Sequence, residues 1–259
     1  MTIGTFQHRG DAEGDPYHAL IADLGACFDH NGSDAEAGIA AVRDTLKAFG
    51  KDNLRAFLAE AIERPEWLDA VAGRSYLHGN GFYKIILEEN AQFRLRLHVW
   101  LPTTRAEENI HDHRWHFASL VLNSRLETEI WEDALSDGGE TLNEYLYVGK
   151  DIGARNVYMG KARVSLKARV FNGEGDAYHM MSNVLHRIIY DGQDAVITLL
   201  CHARGARNWA RTITRRTAEP NIDHDFIDAD KLKSVLDMAL MRFEEQQAGD
   251  AGAGVVYAE

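Results

Sequence analysis

Two periods of apolar positions divide the chain. From residue 17 to 72 apolar residues recur every three to four positions, as in Tyr17-His18-Ala19-Leu20-Ile21-Ala22-Asp23-Leu24 and from Ala37 to Phe49. That spacing predicts amphipathic helices. Asn53 is placed to cap a further helix through Leu54, Phe57, Leu58 and Ile62, and Pro65 to open a short helical turn with Trp67 and Leu68 inward. Near residue 82 the period changes. Phe93-Arg94-Leu95-Arg96-Leu97-His98-Val99-Trp100 alternates strictly, which predicts a strand. Further strands are predicted over Ala118 to Glu132 with a break near Asn123-Ser124, and over Tyr145 to Val148 and Ala162 to Phe171. Short ones follow at Ala177 to Met181, His186 to Tyr190 and Ala195 to His202, with turns at 172–176 and Asp191-Gly192. Many short strands between Gly, Asn and Asp turns read as a sandwich or barrel. Residues 229–246 return to the helical period through Leu232, Val235, Leu236, Met238, Ala239 and Phe243.

The expected organisation is a polar tail over 1–16, a helical segment over 17–75, a β-barrel over 76–215, and a helix with a loose tail over 216–259. The fold class is mainly β.

Composition narrows the function. The net charge of −12 over 259 residues argues against a phosphate-backbone partner, so no nucleic acid is expected. Two cysteines, Cys27 and Cys201, make no disulfide framework, and a reducing, cytoplasmic location is the default expectation. The first residues carry no apolar signal core and no segment nears 18 unbroken apolar residues, so no membrane partner is expected.

The chemistry concentrates in Ile110-His111-Asp112-His113-Arg114. On a strand, His111 and His113 share a face. His186, at the start of a later strand, is the expected third ligand, with His179 as its rival; His116 is off parity. Three neutral imidazoles would leave coordination positions open, which suits Fe(II), while Zn, Ni and Cu are accepted by such sites as well. Arg94, Arg96 and His98 share one face of their strand. That face points either into the barrel, as a cationic wall beside the metal, or out to solvent. His202 is a candidate acid/base or a partner orienting another group. Trp115 shares the parity of the histidines and is either a pocket wall or ordinary core. Cys201 reads as a small buried hydrophobe.

His-x-His followed by Gly175-Asp176 and, ten residues beyond Asp176, His186 resembles the cupin superfamily, which implies a cupin β-barrel or jelly roll. The usual glutamate of the first motif falls on Phe117 or Ala118, and its glycine on Ser124. Within cupins, residues 55–205 resemble the cysteine dioxygenase family of thiol dioxygenases. Ile110-His111-Asp112-His113, Ala177-Tyr178 through Leu185-His186-Arg187, and Glu66-Trp67 carry the likeness. It implies an Fe(II) site of His111, His113 and His186 that adds O2 to a thiol. The departures are specific. The carboxylate-binding arginine falls on Lys84, which keeps the charge and loses the fork. The Ser-x-His-x-Tyr triad falls on Thr198-Leu199-Leu200-Cys201-His202, where Leu200 relays no proton.

The expected function is therefore a non-haem Fe(II) oxygenase acting with O2 on a small anionic, amino-acid-like or thiol substrate. Lys84, Arg96, His98 and Trp115 would bind the substrate, and Lys84 and His202 would assist the chemistry. The alternatives are a metal-dependent cupin lyase or isomerase that uses no O2, and a non-catalytic ligand-binding cupin. A homodimer is compatible with the resemblance.

Overall fold

The computed structural model describes residues 15–30, 34–104, 106–135, 138–149, 154–205, 207–221 and 224–252, the last eight by backbone alone. Three helices come first: α1 (Pro16–His30), α2 (Ala35–Ala61) and α3 (Pro65–Ala72). Asp34 caps α2 by accepting the Ala37 amide at 3.0 Å. The helix expected to begin at Asn53 is instead the second half of α2. The break lies at Gly50, whose φ of 71° only glycine adopts without cost, and Asn53 donates its side-chain amide to the Phe49 carbonyl.

Thirteen strands are named among the described residues. They are β1 (Tyr76–His78), β2 (Phe82–Glu89), β3 (Phe93–Trp100), β4 (Ile110–His111), β5 (Phe117–Asn123), β6 (Arg125–Asp133), β7 (Glu140–Val148) and β8 (Arg155–Gly173). Then come β9 (Ala177–Met180), β10 (Leu185–Ile189), β11 (Val196–Ala203), β12 (Trp209–Thr214) and β13 (Asp225–Phe226), followed by α4 (Ala229–Gly252). The expected mainly β class is present, as two antiparallel sheets. One runs β13-β1-β2-β3-β11-β5-β9; the other closes as β10-β4-β12-β7-β8-β6.

The break expected at Asn123-Ser124 is the corner where the chain leaves the first sheet for the second. Ser124 has a φ of 58°, and Asn123 locks the corner by donating to the Ala195 carbonyl (2.8 Å) and accepting from the Ile197 amide (2.7 Å). No alternation announced β1, β2, β12 or β13. β2 is buried on both faces, which erases the period of two, and β1 and β13 are too short to show one.

The helices cover one face of the first sheet. Leu95, Leu97 and Val99 of β3 and Ile197, Leu199 and Cys201 of β11 join Leu46, Leu54 and Leu58 of α2 and Leu232 and Leu236 of α4 in one apolar core. This decides which face of β3 lies inside. Arg96 and His98 must point to the opposite side, between the sheets, where they are 2% and 8% exposed. α4 runs on to Gly252, past the expected end at 246; the expected N-terminal tail lies outside the described residues except for its last two positions.

Candidate metal centre

His111 meets His186 through strand pairing, while His113, expected on the same strand, lies just past the end of β4 and is held there by a backbone bond to the turn ahead of β10. His111 is the register partner of His186 on one side and of Thr212 on the other. Beyond β4 the chain stays pinned: Asp112 N donates to the Arg211 carbonyl at 3.1 Å and His113 N to the Ser182 carbonyl at 3.0 Å. The three rings converge, with centroids 4.7 to 5.0 Å apart, and their ligand atoms lie within 4.8 Å of one another. Nδ1 of His111 lies 2.9 Å from the Asn109 carbonyl, and Nδ1 of His186 lies 3.0 Å from the Val184 carbonyl. Those bonds place the proton on Nδ1 and leave Nε2 of both rings as the donor to an ion.

Burial holds His113 and His186 neutral, the form that binds metal. His186 is pulled down to about 3, first by burial and then by His111. His113 is pulled well below the usual histidine range by burial, then by His111, His186, Arg96 and Lys84. The donor set fits a borderline transition ion: three imidazole nitrogens and, among the described residues, no carboxylate in the group.

The rival ligand His179 is elsewhere. It pairs in register with Ala118 and its Nδ1 lies 3.3 Å from Arg43 on α2, on the helix side of the sheet. His116 is likewise apart, accepting the Ser182 amide at 2.9 Å.

Behind the triad stands a stacked column. Trp115 lies face to face with His113 (4.2 Å, 14°) and, on its other face, with His202 (4.0 Å, 19°). The Arg96 guanidinium sits 4.7 Å from the Trp115 ring centre and donates to Nε2 of His202. Nδ1 of His202 donates to the Ala203 carbonyl at 2.6 Å. Both nitrogens of His202 are thus engaged, and Arg96 beside the buried ring adds to the desolvation that keeps it neutral. Of the two roles expected for His202, this geometry supports the orienting one, with Arg96 as the group held.

Lys84 is opposite His98 in the β2–β3 register and donates from Nζ to the Tyr76 hydroxyl at 2.7 Å. His98 packs against Phe82 (4.7 Å) and the edge of Trp100 (5.7 Å), and its Nε2 is buried with no hydrogen-bond partner among the described residues. Trp100 and Trp131 are core; Trp209 is at the rim.

Two inward residues were missed. His78 accepts the Asn80 amide at 3.2 Å and stacks on Phe82 at 4.8 Å; burial, Lys84 and His111 depress it. Glu108, 7% exposed, accepts from Asn80 Nδ2 at 3.2 Å and from the Ile188 amide. Burial pushes its carboxyl up against the pull of His111. His78 sits in a strand too short to show its face, and Glu108 in a loop, where no period applies. A cleft of about 530 Å³ is walled by Glu107, Glu108, Arg187, Ile188, Tyr190 and Arg216 among others, and none of the three histidines lines it.

Among the described residues no helix is long and apolar enough to cross a membrane. No family model matches the chain. No curated protein matches it either. Solved structures of similar shape include the PnpCD hydroquinone 1,2-dioxygenase in complex with Cd2+ and 4-hydroxybenzonitrile, at 12% identity and a TM-score of 0.30 over 47% of this chain and 63% of that one. A second is hydroquinone 1,2-dioxygenase from Sphingomonas sp. TTNP3 with 4-hydroxybenzoate bound, at 11% identity and 0.30 over 48% and 66%. The chain thus spans just under two thirds of the length of either. Neither belongs by name to the cysteine dioxygenase family, so that narrower likeness rests on the motifs alone.

Proposed function

We propose that this chain is a metal-dependent oxygenase of the cupin kind, acting with O2 on a small anionic substrate, with Fe(II) held by His111, His113 and His186. The observation that carries the reading is the convergence of three imidazoles, His113 and His186 held neutral by burial, with no carboxylate in the group among the described residues. Such a donor set leaves the ion its full positive charge and open positions, and the bound metal would supply activation of O2 and a Lewis-acid anchor for the substrate.

The chain's own residues shape the rest. Arg96 and Lys84 place positive charge between the sheets, and their field reaches His113 and His98. A carboxylate, thiolate or phenolate entering there replaces lost hydration with charge-assisted hydrogen bonds. His98 Nε2, buried without a partner among the described residues, is placed to bond a substrate polar atom. Trp115, clamped between His113 and His202, fills the space behind His113 and keeps water from that side. His202 holds Arg96 in place, and Tyr76 orients Lys84.

The test is metal content of protein purified without chelator, with O2 uptake after Fe(II) reconstitution against thiols, amino acids and phenolic acids. Iron near one per chain with substrate-dependent uptake supports the reading. Turnover with Zn or Ni under anaerobic conditions would replace it by a lyase or isomerase, and no metal by a ligand-binding barrel.

A further inference from the structure

Arg207 lies outside the triad yet is bonded to both segments that carry it. Asp112, between His111 and His113, is 3% exposed and is engaged with β12: its Oδ1 accepts from Arg211 N at 2.6 Å and its Oδ2 lies 2.6 Å from Arg207 Nη2. The same guanidinium donates to the His113 carbonyl, from Nη2 at 2.8 Å and from Nε at 3.2 Å. Nη2 also reaches the Ser182 carbonyl at 3.0 Å, and Ser182 stands in the turn that leads into β10 and His186. The face of the guanidinium rests over Trp209, 4.1 Å from the ring centre, so its edge is aimed at these acceptors.

We propose that Arg207 is a positioning residue that sets the metal affinity of the site, by clamping the His111–His113 turn to the turn ahead of His186. This rests on reading the three histidines as a metal site. One planar cation, fixed by a buried carboxylate and a ring, joins two chain segments far apart in sequence, so the ligands stand near their bound arrangement before an ion arrives. Without it the two turns are joined only by the His113 N–Ser182 carbonyl bond and the His111–His186 pairing, and metal binding must bear more of the entropy of ordering them. Lysine cannot substitute fully: it keeps the charge beside Asp112 but lacks the fork that reaches His113 and Ser182 together.

The experiment is Co(II) titration of the full metal-free chain, by chelator competition and by the visible absorption of bound Co(II). Wild type, Arg207→Met and Arg207→Lys are compared, each with the melting temperature of its metal-free form. The expected result is Co(II) affinity weakened roughly 10- to 100-fold in Arg207→Met, with a shifted absorption band, and a smaller loss in Arg207→Lys. A folded variant with wild-type affinity and band overturns the proposal, as does a lowered melting temperature with affinity unchanged, the mark of a merely structural role. If Arg207→Met does not fold, Arg207→Lys decides. Wild type that binds no Co(II) overturns the metal reading beneath; wild type that binds while Arg207→Lys matches it overturns only this inference.

Discussion

Acid should unfold the metal-free protein through its buried histidines. His98, His186 and His202 are 8%, 3% and 2% exposed, and all three are held well below the ordinary histidine value of 6.5. Burial is the largest cause in each, with Arg96 next for His98 and His202 and His111 next for His186. In the unfolded chain each ring takes a proton near pH 6.5, whereas in the fold it stays neutral to a much lower pH. The unfolded state therefore binds more protons in that window, and stability falls as pH falls. It is intact above about pH 6.5 and is lost progressively below it, toward about 3 for His186. Between pH 6.5 and 5 each ring costs about 1.6 kcal/mol, since the unfolded ring is half protonated at 6.5 and the slope reaches about 1.4 kcal/mol per unit only at full protonation, so three rings cost roughly 5 kcal/mol. That is comparable to the whole stability of many domains. His78 and His113, also pulled well below the usual histidine range by burial, act in the same direction. Glu88 and Glu108, pushed up by burial, act the other way and trim the loss. The assay is urea unfolding of metal-free protein across this pH range, with proton uptake measured alongside. His98→Gln should remove about one proton of uptake and up to about 1.4 kcal/mol per pH unit of the slope. A loss under about 1 kcal/mol by pH 5, with no proton uptake, would refute the reasoning.

Saturating metal at about a hundred times its dissociation constant should add about 2.7 kcal/mol, a rise of roughly 5–10 °C in melting temperature. His113→Ala and His186→Ala should each abolish that rise in a thermal melt, and a rise preserved in either would remove that residue from the site. Lys84→Met should raise KM for an anionic substrate about tenfold by removing a charge-assisted bond, with metal content unchanged by elemental analysis. Gly81→Ala should destabilise the chain by at least about 2 kcal/mol in denaturant titration. Gly81 has a φ of 80°, and a Cβ there would meet the Thr104 carbonyl at 2.4 Å.

The strict alternation of Phe93 to Trp100 made β3 legible, and the three-to-four spacing made α1, α2 and α4 legible, because a half-buried element writes its period into its residues. The spacing of His111 and His113 likewise pointed at two imidazoles on one side, and the resemblance to the second cupin motif, with a strand beginning at His186, pointed to His186 as the third. What pattern could not reach was anything that depends on which segments become neighbours. Whether Arg96 and His98 face inward was undecidable until the helices covered Leu95, Leu97 and Val99, since both faces of that strand are buried and one holds the charges. The choice of His186 over His179 turns on β10 lying beside β4 while β9 lies beside β5. His78, Glu108 and Arg207 come from a three-residue strand and two loops, where no period exists to reveal them. Local propensity and burial act along the chain and are written there; ligand convergence and the Arg207 clamp arise from contacts across 25 to 99 residues, and only closure of the sheets creates them.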